Sequence, residues 1–139
     1  MKLNTKGFTL VELLAVVTIL GIISGIATIS YNKYQQKVIM DSYKTMESSA
    51  YSAAQNYIQQ QGVVVPSDGS ETVITIDALV NSGLLSKLQD PKAKGSFCHS
   101  GSSVKVKKQQ SAGTKLEVYT YEVIIKCRDY TSSGVVFNS

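Results

Sequence analysis

The chain has 139 residues, with 14 Lys and Arg against 10 Asp and Glu, and a formal net charge of +4. Hydrophobic residues make up 43% and charged residues 17%, with ten Gly and two Pro. That balance excludes a disordered or collagen-like chain and leaves room for one domain at most. Two Cys and one His exclude a four-thiolate zinc site.

The chain opens with a short polar stretch, MKLNTKG, carrying Lys2 and Lys6. From Phe8 to Ile29 it then runs through FTLVELLAVVTILGIISGIATI with one charge, Glu12. At 1.5 Å per residue this run spans about 33 Å as a helix, enough to cross the hydrocarbon core of a bilayer. Tyr31 and Tyr34 follow at once and suit the interfacial zone. Lys2 and Lys6 favour a cytoplasmic N-terminus, while Lys33 and Lys37 on the far side weaken that asymmetry. A secretory signal peptide cut after Gly25-Ile26-Ala27 is the rival reading, and it would release a secreted binding module. Glu12 inside the would-be apolar core counts against it, as does a helical pattern that continues past Ala27.

Lys6-Gly7-Phe8-Thr9-Leu10-Val11-Glu12 resembles the prepilin cleavage and methylation motif of type IV pilins and type II secretion pseudopilins. The resemblance is strong over about the first 30 residues and elsewhere extends only to layout. It implies that a prepilin peptidase cuts between Gly7 and Phe8 and that the new amino group of Phe8 is methylated. It further implies a precursor held in the cell membrane with its N-terminus in the cytoplasm, and later an extracellular filament of copies of this chain and other pilins, built on an inner-membrane assembly platform. The short leader points to a Gram-positive source.

Glu12 has a physical reading beside the family one. A carboxylate in lipid is unfavourable unless it meets a cation, and the terminal amine of Phe8 on an incoming subunit would supply one, pairing the two charges and setting the axial register. Gly21 and Gly25 form a small-xxx-small pair that lets helix backbones approach closely. Many pilins carry a Pro at the position matching Ile29. This chain has none before Pro66, so any loosening of the helix rests on its glycines.

Between Ile26 and Gln61 no Pro or Gly occurs, and Val38 or Ile39, Tyr43, Met46, Ala50, Ala53 and Tyr57 recur at steps of three and four. This predicts one amphipathic helix from about Phe8 to Gln61, about 80 Å long, with Lys37, Asp41, Lys44 and Glu47 on its other faces. Gly62 is its expected stop. Beyond it the pattern predicts short strands at 63–65 and 72–76 split by a Pro66-to-Gly69 turn, and a short helix capped by Asp77 and ended by Gly83. Leu84, Leu85 and Leu88 are expected in the floor of the core, with a loop starting at Asp90-Pro91.

Lys105, Lys107 and Lys108 alternate with Val104 and Val106 and read as an edge strand guarded by Lys, not as a nucleic-acid surface. A turn at Ser111-Ala112-Gly113-Thr114 leads to the best strand, Leu116 to Ile125, expected in a central position, and Gly134 to Phe137 would close the sheet. The fold class is therefore α+β. A long N-terminal helix, transmembrane in its first half and amphipathic in its second, packs on a small, mainly antiparallel sheet. The expected divisions are a leader at 1–7, a membrane and filament-core helix at 8–30, its amphipathic continuation at 31–61 and a sheet head at 62–139. An exported head favours a disulfide between Cys98 and Cys127, worth roughly 3.5 kcal/mol by loop entropy. In many pilins such a bridge frames a variable surface loop, here residues 99–126.

His99 beside Cys98 reads as a loop residue, not a metal ligand. With no nucleophile–base set, phosphate loop or metal cluster, no catalytic residue and no cofactor are expected. The expected function is that of a structural pilus subunit serving adhesion, motility or DNA uptake, the alternative a pseudopilin of a secretion or competence system. Nucleic acid stays an unsupported partner.

Overall fold

The computed structural model describes residues 7–110, 113 and 116–138, and the side chains of 27–29 lie outside that description. The leader lysines therefore fall outside it, as do Ser111, Ala112 and Thr114 of the expected turn.

Helix α1 runs from Leu10 to Gln61 without a break. It starts two residues later than the periodicity suggests, because Thr9 closes its first turn: the Thr9 hydroxyl accepts the Glu12 backbone N–H at 3.3 Å. At the other end Gly62 takes φ +61, and the Val63 N–H donates to the Ile58 carbonyl at 3.3 Å. This is the left-handed glycine stop that satisfies an orphan carbonyl of the last turn. The chain divides into two compact units, one ending at Val38 and one beginning at Ile39.

In the second unit, strands β1 (Glu71–Thr75), β2 (Ser103–Gln110), β3 (Glu117–Ile124) and β4 (Val135–Asn138) form one antiparallel sheet in the order β1-β2-β3-β4. A short helix, α2 (Ile76–Asn81), follows β1 directly. Alternation places Ile74, Val104, Val106, Tyr121 and Val123 on the inner face, all buried. Against them lie Ala50, Ala53 and Ala54 of α1, whose small side chains let the helix come close to the sheet. Tyr51 stacks on Phe137 at 4.5 Å and meets Tyr121 edge-on at 5.1 Å. Ile76, Leu79, Leu85 and Leu88 close the core below. Burying each such aliphatic side chain contributes about 1.5–3 kcal/mol.

The α+β class, the central place of β3, the closing strand β4 and the Leu85–Leu88 floor agree with the sequence reading. Four expectations need correction. Residues 63–65 form no strand, since Val63 completes the helix stop, Pro66 follows, and no strand pairs with them. Ile76 opens α2 and does not end β1; the cap is Thr75, whose hydroxyl accepts the Ala78 N–H at 3.3 Å, and not Asp77. The lysine-bearing β2 is an interior strand, paired on both sides, and the edges are β1 and β4. Its lysines are neutralised across the ladders: Lys107 meets Glu71 at 2.8 Å, Lys105 lies between Glu71 and Glu122, and Lys108 meets Glu117 at 2.8 Å. Finally, Glu47 sits on the buried face of α1, 3% exposed, and not among the solvated positions.

Candidate functional site: an apolar helix start and a braced pair of loops

The N-terminal site is built from the first turn of α1. Thr9 and Glu12 form a reciprocal pair: the Thr9 N–H donates to Glu12 Oε2 at 3.0 Å while Glu12 donates back to Thr9 Oγ1. This is the T-x-x-E capping box, which satisfies two orphan donors of the helix start. The sequence reading missed it, although Thr9-Leu10-Val11-Glu12 spells it. The pair draws the Glu12 carboxylate back towards Thr9, one peptide unit from Phe8. An ionised carboxylate has about four acceptor positions, so one contact from Thr9 leaves capacity for a cation.

Beyond this turn the helix is apolar all round. Leu10, Val11, Leu13, Leu14, Val17, Leu20 and Ile23 stand 58–84% exposed. A helix hydrophobic on every side requires lipid or other protein around it. Two of its polar side chains are satisfied within the helix: Thr18 donates to the carbonyls of Leu14 and Ala15, and Ser24 donates to that of Leu20 at 2.7 Å. Gly21 and Gly25 have no atom within 4 Å of where a Cβ would stand, so each leaves a recess on the helix surface.

The second site lies in the other unit, where the loop after Leu88 meets the loop after Ile125. Cys98 and Cys127 are disulfide-bonded with Cα atoms 4.3 Å apart. Beside the bridge Asp90 is 1% exposed. Its Oδ1 accepts the Tyr43 hydroxyl at 3.0 Å and the Lys92 N–H at 2.9 Å, while Oδ2 is buried with no hydrogen-bond partner among the described residues. Burial pushes this carboxyl up, but the Lys92 N–H, the Tyr43 hydroxyl and the Arg128 N–H outweigh it and hold the group below its ordinary value. Burial and the neighbouring Asp90 carboxylate push the Tyr43 phenol up to about 12.

Tyr43 stacks on Tyr130 at 3.8 Å, and the Tyr130 hydroxyl donates to Glu47 at 3.1 Å. Two phenol–carboxylate pairs therefore fasten both loops to α1. Sequence reasoning missed this brace; its only local signal is that Tyr43, Glu47, Ala50 and Ala54 follow one helical face. The Asp90 carboxylate and the two sulfurs lie within 4.8 Å of one another, but both sulfurs are engaged in the bridge, which leaves one carboxylate and no ligand set. His99 is half-buried in the same loop, stacked near Phe97 at 5.6 Å and 3.9 Å from Asp77.

Residues 2–28 match the family model of the prokaryotic N-terminal methylation motif, the signature of type IV pilins and pseudopilins. The match takes in Gly7, Phe8, Glu12, Gly21 and Gly25. It implies processing by a prepilin peptidase and self-polymerisation, and together with the apolar helix it fits a membrane-anchored precursor that later enters a surface filament. With the sheet-on-helix fold it suggests a structural protein and not an enzyme. No solved structure matches this chain.

Proposed function

We propose that this chain is the structural subunit of a type IV pilus. A prepilin peptidase cuts after Gly7 and methylates the Phe8 amine. The precursor waits in the membrane with its N-terminus in the cytoplasm, and the assembly platform moves the apolar helix from lipid into a bundle of like helices. The Phe8 amine of the incoming copy pairs with Glu12 of a copy already in place. The recesses at Gly21 and Gly25 receive neighbouring helices. The observation that carries this reading is an all-round apolar, exposed first stretch of α1 lying directly behind a matched cleavage motif. Such a helix has favourable surroundings both in lipid and in a bundle, so little driving force opposes exchange between them.

The test is the variant Gly7→Leu expressed in the native host. The expected result is full-length precursor by mass spectrometry and no surface fibres by electron microscopy, against cut, methylated protein and long fibres for the unaltered chain. Fibres built from uncut protein would refute the reading. Loss of secretion or transformation with no fibres from the unaltered chain would move the assignment to a pseudopilin.

A further inference from the structure

The junction at the disulfide is held by more than the disulfide. The buried Ser102 hydroxyl accepts the Lys126 N–H at 2.8 Å and donates to the Cys98 carbonyl at 2.6 Å, so it ties the same two loops without sulfur. The Cys98 N–H donates to the Leu88 carbonyl at 2.8 Å, the Asp90 N–H to that of Ser96 at 2.9 Å, and the Cys127 N–H to that of Tyr130 at 2.8 Å. None of these contacts uses a sulfur atom, so opening the bridge does not of itself release the three residues.

One buried carboxylate stands at this junction. Asp90 is 1% exposed; its Oδ1 is fixed by the Tyr43 hydroxyl and the Lys92 N–H, and its Oδ2 has no hydrogen-bond partner among the described residues. A buried oxygen left in this state is costly and is best satisfied by a donor or a cation. A carboxylate oxygen of Asp90 and the sulfurs of Cys98 and Cys127 lie within 4.8 Å of one another. The sulfurs are no ligands while bonded to each other, but reduction turns the same three residues into a donor set of two thiols and one carboxylate.

We propose that the reduced chain holds a zinc ion here, with Cys98 and Cys127 thiolates and Asp90 Oδ2 as ligands and a water in the fourth position, so that cation and disulfide are alternative closures of the same two loops. The bridge opens by taking two electrons and two protons from a dithiol, which leaves as its own disulfide. Each Cys thiol then gives its proton to solvent as its sulfur binds the cation. Two thiolates select zinc over magnesium or calcium. With metal–sulfur bonds of about 2.3 Å and a metal–oxygen bond of about 2.0 Å, a tetrahedral site sets its donors about 3.3–3.8 Å apart. The sulfurs therefore separate by side-chain rotation, and the carboxylate closes on them by no more than about 1.5 Å. Tyr43 and the Lys92 N–H hold the outer oxygen and so aim the inner one. His99, next to Cys98 in the chain, turns instead to Phe97 and Asp77. The inference goes beyond the filament reading and does not rest on it.

The test uses the full chain in nonionic detergent, reduced with a phosphine, freed of it by gel filtration under argon and titrated with Co²⁺. Thiolate charge-transfer and tetrahedral d–d bands are expected to saturate at one Co²⁺ per chain, to fade on addition of Zn²⁺, and to be absent from the oxidised chain and from Cys98→Ser/Cys127→Ser. Asp90→Asn should weaken binding at least about tenfold, since loss of even an outer partner of a metal ligand costs that much, while Asp129→Asn, at an exposed carboxylate of the same loop, should stay within about twofold. Zn²⁺ should raise the melting temperature of the reduced chain and leave that of the oxidised chain unchanged. Far-UV circular dichroism of each reduced protein checks the fold. Absence of the bands from the reduced chain, one cation per two chains, or Asp90→Asn binding as tightly as the unaltered chain would each overturn the proposal, the last by showing two free thiols acting without the carboxylate.

Discussion

Before Val38 and after Ile39 the chain uses the same residue types in opposite ways. In the first stretch Val11, Leu13 and Ile23 stand 58–72% exposed, while in the second Ile74, Leu79 and Val104 are at most 4% exposed. Thr18 and Ser24 bond their own helix's carbonyls, whereas Tyr43 and Tyr130 reach carboxylates far away in sequence. The sheet-bearing unit therefore carries its own stability. The first stretch leaves its apolar side chains uncovered and needs lipid or other protein around it.

The contrast is sharpest at Glu12, and the largest effect is expected there. Gln keeps the cap, since a capping box accepts Glu or Gln at that position, but removes the charge. Glu12→Gln should cut filament yield at least about tenfold, equivalent to about 1.4 kcal/mol lost in subunit addition, with membrane insertion unchanged by fractionation. Unchanged yield would show that Glu12 serves only the helix start.

In the other unit the bridge closes a sequence separation of 29. Cys98→Ser/Cys127→Ser should lower the unfolding free energy by about 3.5 kcal/mol in denaturant titration, with no loss of membrane insertion. A similar loss of insertion would mean that the two units are not energetically separate.

Asp90 sets a smaller, pH-dependent effect. Its carboxyl is held below the ordinary 3.8, so the stability it contributes is present above that value and is lost as pH falls through the native value. Asp90→Asn should reduce stability by about 1–3 kcal/mol at neutral pH, through the lost charged hydrogen bonds, and flatten the acid limb of the pH–stability curve below about pH 4. Tyr43 works in the opposite sense. Its phenol is raised from 10.0 to about 12, so its contribution is complete below pH 10 and disappears towards 12, and Tyr43→Phe should remove that alkaline loss.

The smallest expected change is Gly134→Ala. Gly134 has φ +78, and a Cβ there would lie 2.6 Å from Glu122 Oε1. The Glu122 side chain is able to swing away, so the backbone cost dominates, about 1 kcal/mol, read as a fall of a few degrees in melting temperature.

The long helix and the apolar run were legible because both are local: run length and three-four spacing need no knowledge of distant residues. β3 and β4 were legible for the same reason. What was illegible depended on partners far away. Glu47 looks solvated until Tyr130, 83 residues on, supplies its hydrogen bond. β2 looks like an edge until β1 pairs with it. Val63 to Val65 have strand composition but no strand beside them. The N-terminal site was readable as a motif, except that Thr9, the other half of the Glu12 cap, went unnoticed. The exposed cations of the two loops were invisible as a group because they are scattered between positions 87 and 128, while the one visible cluster on β2 is cancelled across the sheet.

The two phenol–carboxylate contacts at Tyr43 and Glu47 also define a mechanical route. A pull along this part of the helix is handed directly to the loops around Cys98 and Cys127, where a covalent bond receives it. The same helix face also packs on the sheet through Ala50, Ala53 and Ala54, so a load on it is shared between the loop fastenings and the inner face of the sheet.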